Sequence, residues 1–295
     1  MNVNERLKAL LPTIGIFGLI SLFFFTIESV LGVDALARMM GANLIVPICC
    51  VLILIWTYSS VIKKNSIWLV FERTGIPIGI LFSTMFLLAA INGVFGSVEK
   101  EHLTYSFAIL ITGCFVSVIG YVAKRESISL EPHPSSFGAD LGFVTLMILI
   151  IALTMERLTG LGAFLDAPSL LMTLSPAAAL FLINYKKASA RRYMQTIVIG
   201  VTGSLFMCVM AWTIATERDT AEGIGPAIAV SLLSMTYGVQ VILISACLCS
   251  DANAEKIDFG KINWHLLEVF ALIILMVFAP ESVWEWAARV NPSPT

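Results

Sequence analysis

Three histidines, six cysteines and a few carboxylates are the residues of this chain that could hold a metal, attack a substrate or carry a proton. His102 and His133 are expected in loops and His265 at a helix start, and none has the clustered neighbours that a histidine site needs. Cys49, Cys50, Cys114, Cys208, Cys247 and Cys249 all fall inside apolar runs, where cysteine serves as a small hydrophobe. Cys247-x-Cys249 lacks the second cluster that would complete a tetrahedral site. A phosphate-cradling loop, a nucleophile elbow and a His-Glu-x-x-His helix are all absent from the sequence. The expectation is a protein that is not an enzyme and has no metal and no cofactor.

Ionisable residues within apolar segments are the next source of chemistry. Glu28 and Glu156 fall near the ends of two such segments, close enough to water to be solvated by snorkelling. Asp140 opens a segment, and Asp166 with Pro168 has the form of a helix cap. No acid falls near the middle of an apolar run. Hydroxyl and glycine faces are more informative. Thr196, Gly200, Gly203 and Ser204 share one helical face, and Ala227, Ser231, Ser234 and Gly238 share another. Pro226 falls near the start of that second helix, where its missing N–H costs little. Such faces serve either close helix packing or a polar lining around a guest helix or a hydrated pathway.

The elements that would carry these faces are membrane helices. Of the 295 residues 58% are hydrophobic and only 13% charged, against about 25% charged in soluble domains. The formal net charge of −2 leaves no basic footprint for nucleic acid. A helix crossing the hydrocarbon core needs ~20 mostly apolar residues. Runs of that kind lie at 9–32, 43–62, 76–95, 103–123, 139–155, 167–185, 194–216 and 223–249. A shorter ninth run, 263–279, carries His265 and Glu268, and either spans or lies in the interface with the Trp-rich tail 284–290. The first run reads as a retained helix, not a cleaved signal. The runs are continuous, which favours helices over a barrel. The fold expected is all-α: a polytopic integral membrane protein with 8–9 transmembrane helices.

Lysine and arginine excess marks the cytoplasmic loops. With the N-terminus inside, thirteen basic residues fall on the cytoplasmic side, Arg73 among them, and five outside, which accounts for all 18. Landmarks also recur along the chain. Ile27-Glu28 through Gly32 matches Met155-Glu156 through Gly160, and Lys63-Lys64…Arg73 matches Lys186-Lys187…Arg191-Arg192. The outer loop Glu99-Lys100-Glu101 matches Glu217-Arg218-Asp219, and Ile78-Gly79…Ser83 matches Ile199-Gly200…Ser204. Shared membrane composition is one explanation; two parallel four-helix repeats are the other, and the order of the landmarks favours the repeat. The organisation expected is a first repeat over 1–124 and a cytoplasmic linker over 125–138, with Pro132, Pro134, Ser135 and Ser136. A second repeat over 139–250 and a tail region over 251–295 complete it.

At this level the second half resembles a known family. Gly225-Pro226-Ala227-x-Ala229-Val230-x-Leu232-Leu233-x-x-x-Tyr237-Gly238 resembles the fourth-helix signature of the MotA/TolQ/ExbB proton-channel family. Gly200-x-x-Gly203-Ser204 is similar to its third-helix Gly-x-x-Gly-Thr, and Phe164 to Leu171 to the approach to its second helix. The resemblance covers about residues 141 to 254. It implies an inner-membrane, multi-pass subunit that forms a homo-oligomer, typically a pentamer, around a single-span membrane subunit. That partner carries the ionisable aspartate. The residues it places on the ion pathway or facing the partner are Thr196, Gly200, Gly203, Ser204, Pro226, Ser231, Ser234 and Thr236. Three departures stand out. Met235 replaces the usual fourth-helix threonine, the third-helix proline has no counterpart at Tyr193-Met194-Gln195, and a short link over 186–193 replaces the large cytoplasmic insert of MotA. In the first half the signature has decayed to His102-Leu103-Thr104-Tyr105-Ser106-Phe107-Ala108.

The function this reading implies is a membrane channel or energy-transducing subunit that uses an ion gradient together with its partner. A secondary transporter built on two parallel repeats, with Pro47, Pro77 and Pro176 interrupting helices, is the alternative. A non-conducting scaffold, whose small-residue faces only pack helices, is the third.

Overall fold

The computed structural model describes residues 42–59, 66–94, 100–124, 137–171, 173, 175, 221–248 and 259–290. Among them every regular element is helical. We label the α-helices α1 (Ala42–Thr57), α2 (Ile67–Val94), α3 (Lys100–Lys124), α4 (Phe137–Thr159), α5 (Ala221–Leu248) and α6 (Phe259–Val290). A 3-10 turn, Leu161–Phe164, follows α4. Four segments are long and apolar enough to cross a membrane: Ile67–Ala89, Ser106–Ala123, Gly138–Leu158 and Ala229–Leu248. These four mark the chain as a membrane protein by length and composition, all-helical over the described residues. Of the remaining expected runs, 9–32 and 194–216 and most of 167–185 lie outside the described residues, as do the repeat landmarks from Ile199 to Ser204; 43–62 is represented by a shorter apolar helix, Ile48–Thr57, and 263–279 is not among the four candidate spans.

Helix α2 is the axis of the described bundle. Of its spanning window 89% is buried, against 33% for α3 and 28% for α4. A helix apolar on all sides has no preferred wet face, and here neighbours cover it. Helix α3 runs antiparallel along it, since Gly120 abuts Glu72, Gly113 abuts Gly75 and Gly79, and Ser106 meets Ser83. The approach is backbone to backbone. A Cβ on Gly113 would lie 2.6 Å from both the Gly75 carbonyl oxygen and the Gly79 Cα. Lipid offers helices no hydrophobic gain for associating, so close van der Waals contact through glycine is what holds such a pair. Helix α5 covers another side of α2, and α6 a third. By contrast α4 turns Leu141, Leu146, Ile148, Leu149 and Leu153 outward, the pattern of a lipid-facing helix.

Several boundaries differ from the expected ones. Helix α2 begins nine residues before the run at 76, because Glu72-Arg73-Thr74 lowers the hydropathy without breaking the helix. Arg73, expected in an inner loop, is in the second turn of α2 and 1% exposed. Lys100, Glu101 and His102 form the first turn of α3, not a loop. The last two residues of the expected linker, Phe137 and Gly138, already belong to α4. The ninth run and the Trp-rich tail are one continuous helix, α6.

Candidate functional site

Two groups of buried polar side chains line α2. The first lies at the end where α2 begins and comprises Glu72, Arg73, Thr74, Ser117 and Asn263, none more than 6% exposed. A proline lies one turn further on. Pro77 lies inside α2 and cannot donate to the carbonyl four residues back, that of Arg73. Neighbouring helices supply donors at the preceding carbonyl. Ser117 Oγ donates to the Glu72 carbonyl oxygen at 2.6 Å, and Asn263 Nδ2 at 2.8 Å. Asn263 Nδ2 also lies 3.4 Å from Ser117 Oγ, which ties α2, α3 and α6 at one point. Thr74 Oγ1 bonds back to the Val70 carbonyl at 2.7 Å. The Arg73 guanidinium is within electrostatic reach of the Cys247 sulfur, on α5.

The second group is a hydroxyl seam further along α2. Adjacent residues point to different neighbours. Ser83 Oγ meets Ser106 Oγ of α3 at 2.6 Å. On the other side Thr236 Oγ1 of α5 donates to Thr84 Oγ1 at 2.9 Å, and Thr84 Oγ1 donates to the Leu81 carbonyl. Ser231, Ser234 and Thr236 are all 0% exposed. Ser234 donates to the Val230 carbonyl at 2.8 Å, and the Leu232 carbonyl, also at 2.8 Å, shares the single Thr236 hydroxyl proton with Thr84. Such back-bonds let a hydroxyl enter an apolar interior without an orphaned donor. From Arg73 to Thr84 is eleven residues, ~16 Å of helix rise, so polar groups follow α2 from its start to past its middle.

Of the residues singled out in the sequence, Ser231, Ser234 and Thr236 are all buried. Thr236 meets Thr84 of the first half. Pro226 is the sixth residue of α5, and Thr196, Gly200, Gly203 and Ser204 lie outside the described residues. Met235, where the resembled family has threonine, is also 0% exposed. The sequence reading missed Glu72, Arg73, Ser117 and Asn263. A signal did exist: Glu72-Arg73-Thr74 sits a few residues before Pro77 on the edge of an apolar run.

Two carboxylates have local structural roles. A Glu156 carboxylate oxygen accepts the Leu161 N–H at 2.7 Å, closing the turn that follows α4. Asp166 accepts the Ser169 N–H at 2.9 Å and also the Ser169 hydroxyl, an N-cap geometry. That turn is held from a distance. Tyr237 Oη donates to the Phe164 carbonyl at 2.5 Å and accepts the Asp166 N–H at 3.2 Å. At the base of α4, Tyr58 donates to Asp140 at 2.5 Å while its ring stacks on Phe143. Among the described residues no three metal-ligating side chains converge.

The fold and this polar interior define a class, the all-helical membrane proteins with buried polar groups along a central helix. Comparison with family models, with curated proteins and with solved structures finds no match for this chain.

Proposed function

We propose that this protein is a MotA/TolQ/ExbB-like membrane channel or energy-transducing subunit, working from an ion gradient with a single-span partner that carries an ionisable aspartate. The observation that carries the reading is the Thr236–Thr84 hydrogen bond. It joins Thr236 of the resembled fourth helix, on a different side from Ser231 and Ser234, to the first-half helix that bears Ile78-Gly79…Ser83. In this proposal both halves contribute to one seam, and the first half is more than a structural duplicate. A second support is the link between Tyr237 and the backbone of Phe164 and Asp166, since two separate segments of the resemblance meet there. The reading carries with it a homo-oligomer, a pentamer by the resemblance, in an inner membrane with the N-terminus cytoplasmic. Hydroxyls can accept and donate, so a chain of them passes a proton or replaces part of an ion's hydration shell.

The test is ion flux in vesicles from cells that make the protein together with its native partners. The variant combines Thr84→Val, Ser231→Ala, Ser234→Ala and Thr236→Val. Each change keeps volume within about a methyl group, so insertion and assembly are expected to persist. Gradient-driven flux is expected to fall at least about tenfold, the scale of losing ~1.4 kcal/mol of ion stabilisation. Unchanged flux with intact assembly would remove the seam from the pathway.

A secondary transporter is the second reading, favoured by the burial of Glu72, Arg73 and Asn263 inside one chain. Charged groups enclosed by a membrane bundle mark substrate or ion sites. Uptake by the purified chain alone in lipid vesicles would support it against the partner-dependent reading.

A further inference from the structure

Among the described residues the exposed tryptophan and tyrosine side chains are Trp56 of α1, Tyr121 of α3 and Trp264 of α6, at 54%, 57% and 64% exposed. The packing sets all three toward one end of the bundle. Tyr121 follows Gly120, whose Cα abuts the backbone of Trp68 and Glu72 at the start of α2. Trp264 follows Asn263, which bonds the Glu72 carbonyl. Trp56 lies two residues before Tyr58, which donates to Asp140 in the first turn of α4. Helix α4 is the next span after α3, so it starts on the side where α3 ends. Deeper in the bundle the exposed large side chains are aliphatic or phenylalanine, such as Ile53, Phe107, Ile111 and Leu149. The opposite end is marked by Lys100, Glu101 and His102 in the first turn of α3. Glu72 to Ser83 is eleven residues, Ser83 meets Ser106, and Ser106 back to Lys100 is six more. The two levels are therefore ~25 Å apart along the helices.

We propose that Trp56, Tyr121 and Trp264 are anchors in the phospholipid headgroup layer, and that this layer sets the depth of both buried polar groups. An indole or phenol ring has an apolar body and a polar tip, which suits it to the boundary between hydrocarbon and water. Helix α1 packs chiefly on α4, whereas α3 and α6 pack on α2, so the rings are spread over the bundle and not gathered in one patch. A lipid layer meets all of them at one level. The distance from that level to the charged turn of α3 fits a hydrocarbon core of ~30 Å. Glu72, Arg73 and Asn263 then lie at the hydrocarbon edge, next to interfacial water. The Ser83–Ser106 and Thr84–Thr236 bonds lie within about one helical turn of the bilayer centre. Transporter substrate sites lie near the midplane, so this depth weighs against a substrate site at Glu72 and Arg73. The inference rests on packing and exposure and is independent of the ion-pathway reading.

The test uses the full-length protein in phospholipid vesicles, with native cysteines replaced and one spin-labelled cysteine introduced at a time. Labels at Trp56→Cys, Tyr121→Cys and Trp264→Cys are expected at headgroup depth, relaxed more by a water-soluble nickel chelate than by oxygen. Ile111 is also exposed and precedes Tyr121 by ten residues on α3. A label at Ile111→Cys is expected ~15 Å deeper, with the opposite preference. All four positions are exposed, so the fold is expected to survive, and helical content by circular dichroism checks this. A second measurement avoids changing an anchor: the protein keeps Trp264 as its sole tryptophan, in lipids brominated along the acyl chain. Bromine near the headgroup is expected to quench Trp264 more than bromine near the chain end. Labels of equal depth at 111 and 121, or stronger quenching of Trp264 by the deep bromine, would overturn the proposal. So would labels at 56, 121 and 264 shielded from both relaxants, since a second copy or another polypeptide would then cover the rings.

Discussion

At the scale of single residues, the most consequential side chain is Asn263. Its amide donates to the Glu72 carbonyl and lies beside Ser117 Oγ, next to the carbonyl that Pro77 leaves without its helical donor. An unmade buried hydrogen bond costs more than a formed one contributes, so the direction of each substitution can be stated. Asn263→Leu removes the donor and is expected to lower stability by ~1–3 kcal/mol. Asn263→Asp has nearly the same shape but offers acceptors to an acceptor and adds a buried charge. It is expected to be worse than leucine, and thermal unfolding of the purified protein in detergent compares the two. An aspartate variant as stable as the native protein would mean that Asn263 does not serve as a donor. The hydroxyls behave differently. Thr236 and Ser234 each keep a bond to their own helix, so their loss costs little stability, on the order of 0.6 kcal/mol for an interhelical bond in a membrane protein. Their value in the proposed function is in the pathway they line.

At the scale of elements, the pairing of α2 with α3 is decided by glycine. A side chain at Gly113 would meet the Gly75 carbonyl and the Gly79 Cα at 2.6 Å, and neither is a flexible group that can swing aside. Gly113→Ala is therefore expected to destabilise by ~1–3 kcal/mol. Gly142, on the outward side of α4, has nothing within 4 Å of an added Cβ. Gly142→Ala is expected to be neutral or stabilising by up to ~1 kcal/mol, from reduced freedom of the unfolded chain. Unfolding temperatures of the two variants in the same detergent give the comparison, and equal behaviour would contradict the close approach. The spanning segments themselves were legible in the sequence because hydropathy reports a helix's whole circumference. The start of α2 was not, because Glu72 and Arg73 look like a loop to any average over a window. Their burial depends on Ser117 and Asn263, which are 45 and 191 residues away from Glu72, and no local pattern shows such distant partners. The site was legible to a similar extent. Helical spacing alone grouped Ser231 and Ser234, but the partner threonine, Thr84, is 152 residues from Thr236.

At the scale of the molecule, the contacts fix which helix ends share a side of the membrane. Gly120, near the end of α3, abuts Glu72, near the start of α2. Asn263, near the start of α6, bonds the same residue. The Arg73–Cys247 proximity puts the end of α5 there too. Positions 66, 124 and 261 therefore lie toward one face, while 94 and 100 lie toward the other, across the length of α2 and α3. The first group carries Lys124 and Lys261, and in the orientation proposed above the basic-residue rule makes that face cytoplasmic. In a background with native cysteines replaced, Ser66→Cys, Lys124→Cys and Lys261→Cys are expected to react with a membrane-impermeant maleimide only in inverted vesicles. Lys100→Cys is expected to react only from the outside of intact cells. If all four reacted from outside-in reversed, the packing would stand and the orientation would be inverted. If Lys124→Cys and Lys261→Cys reacted from opposite sides, the antiparallel arrangement of α3 on α2, or the seating of α6 beside them, would be wrong. A single labelling experiment thus separates the membrane orientation, which rests on charge, from the helix order, which rests on the glycine contacts and the Asn263 bond.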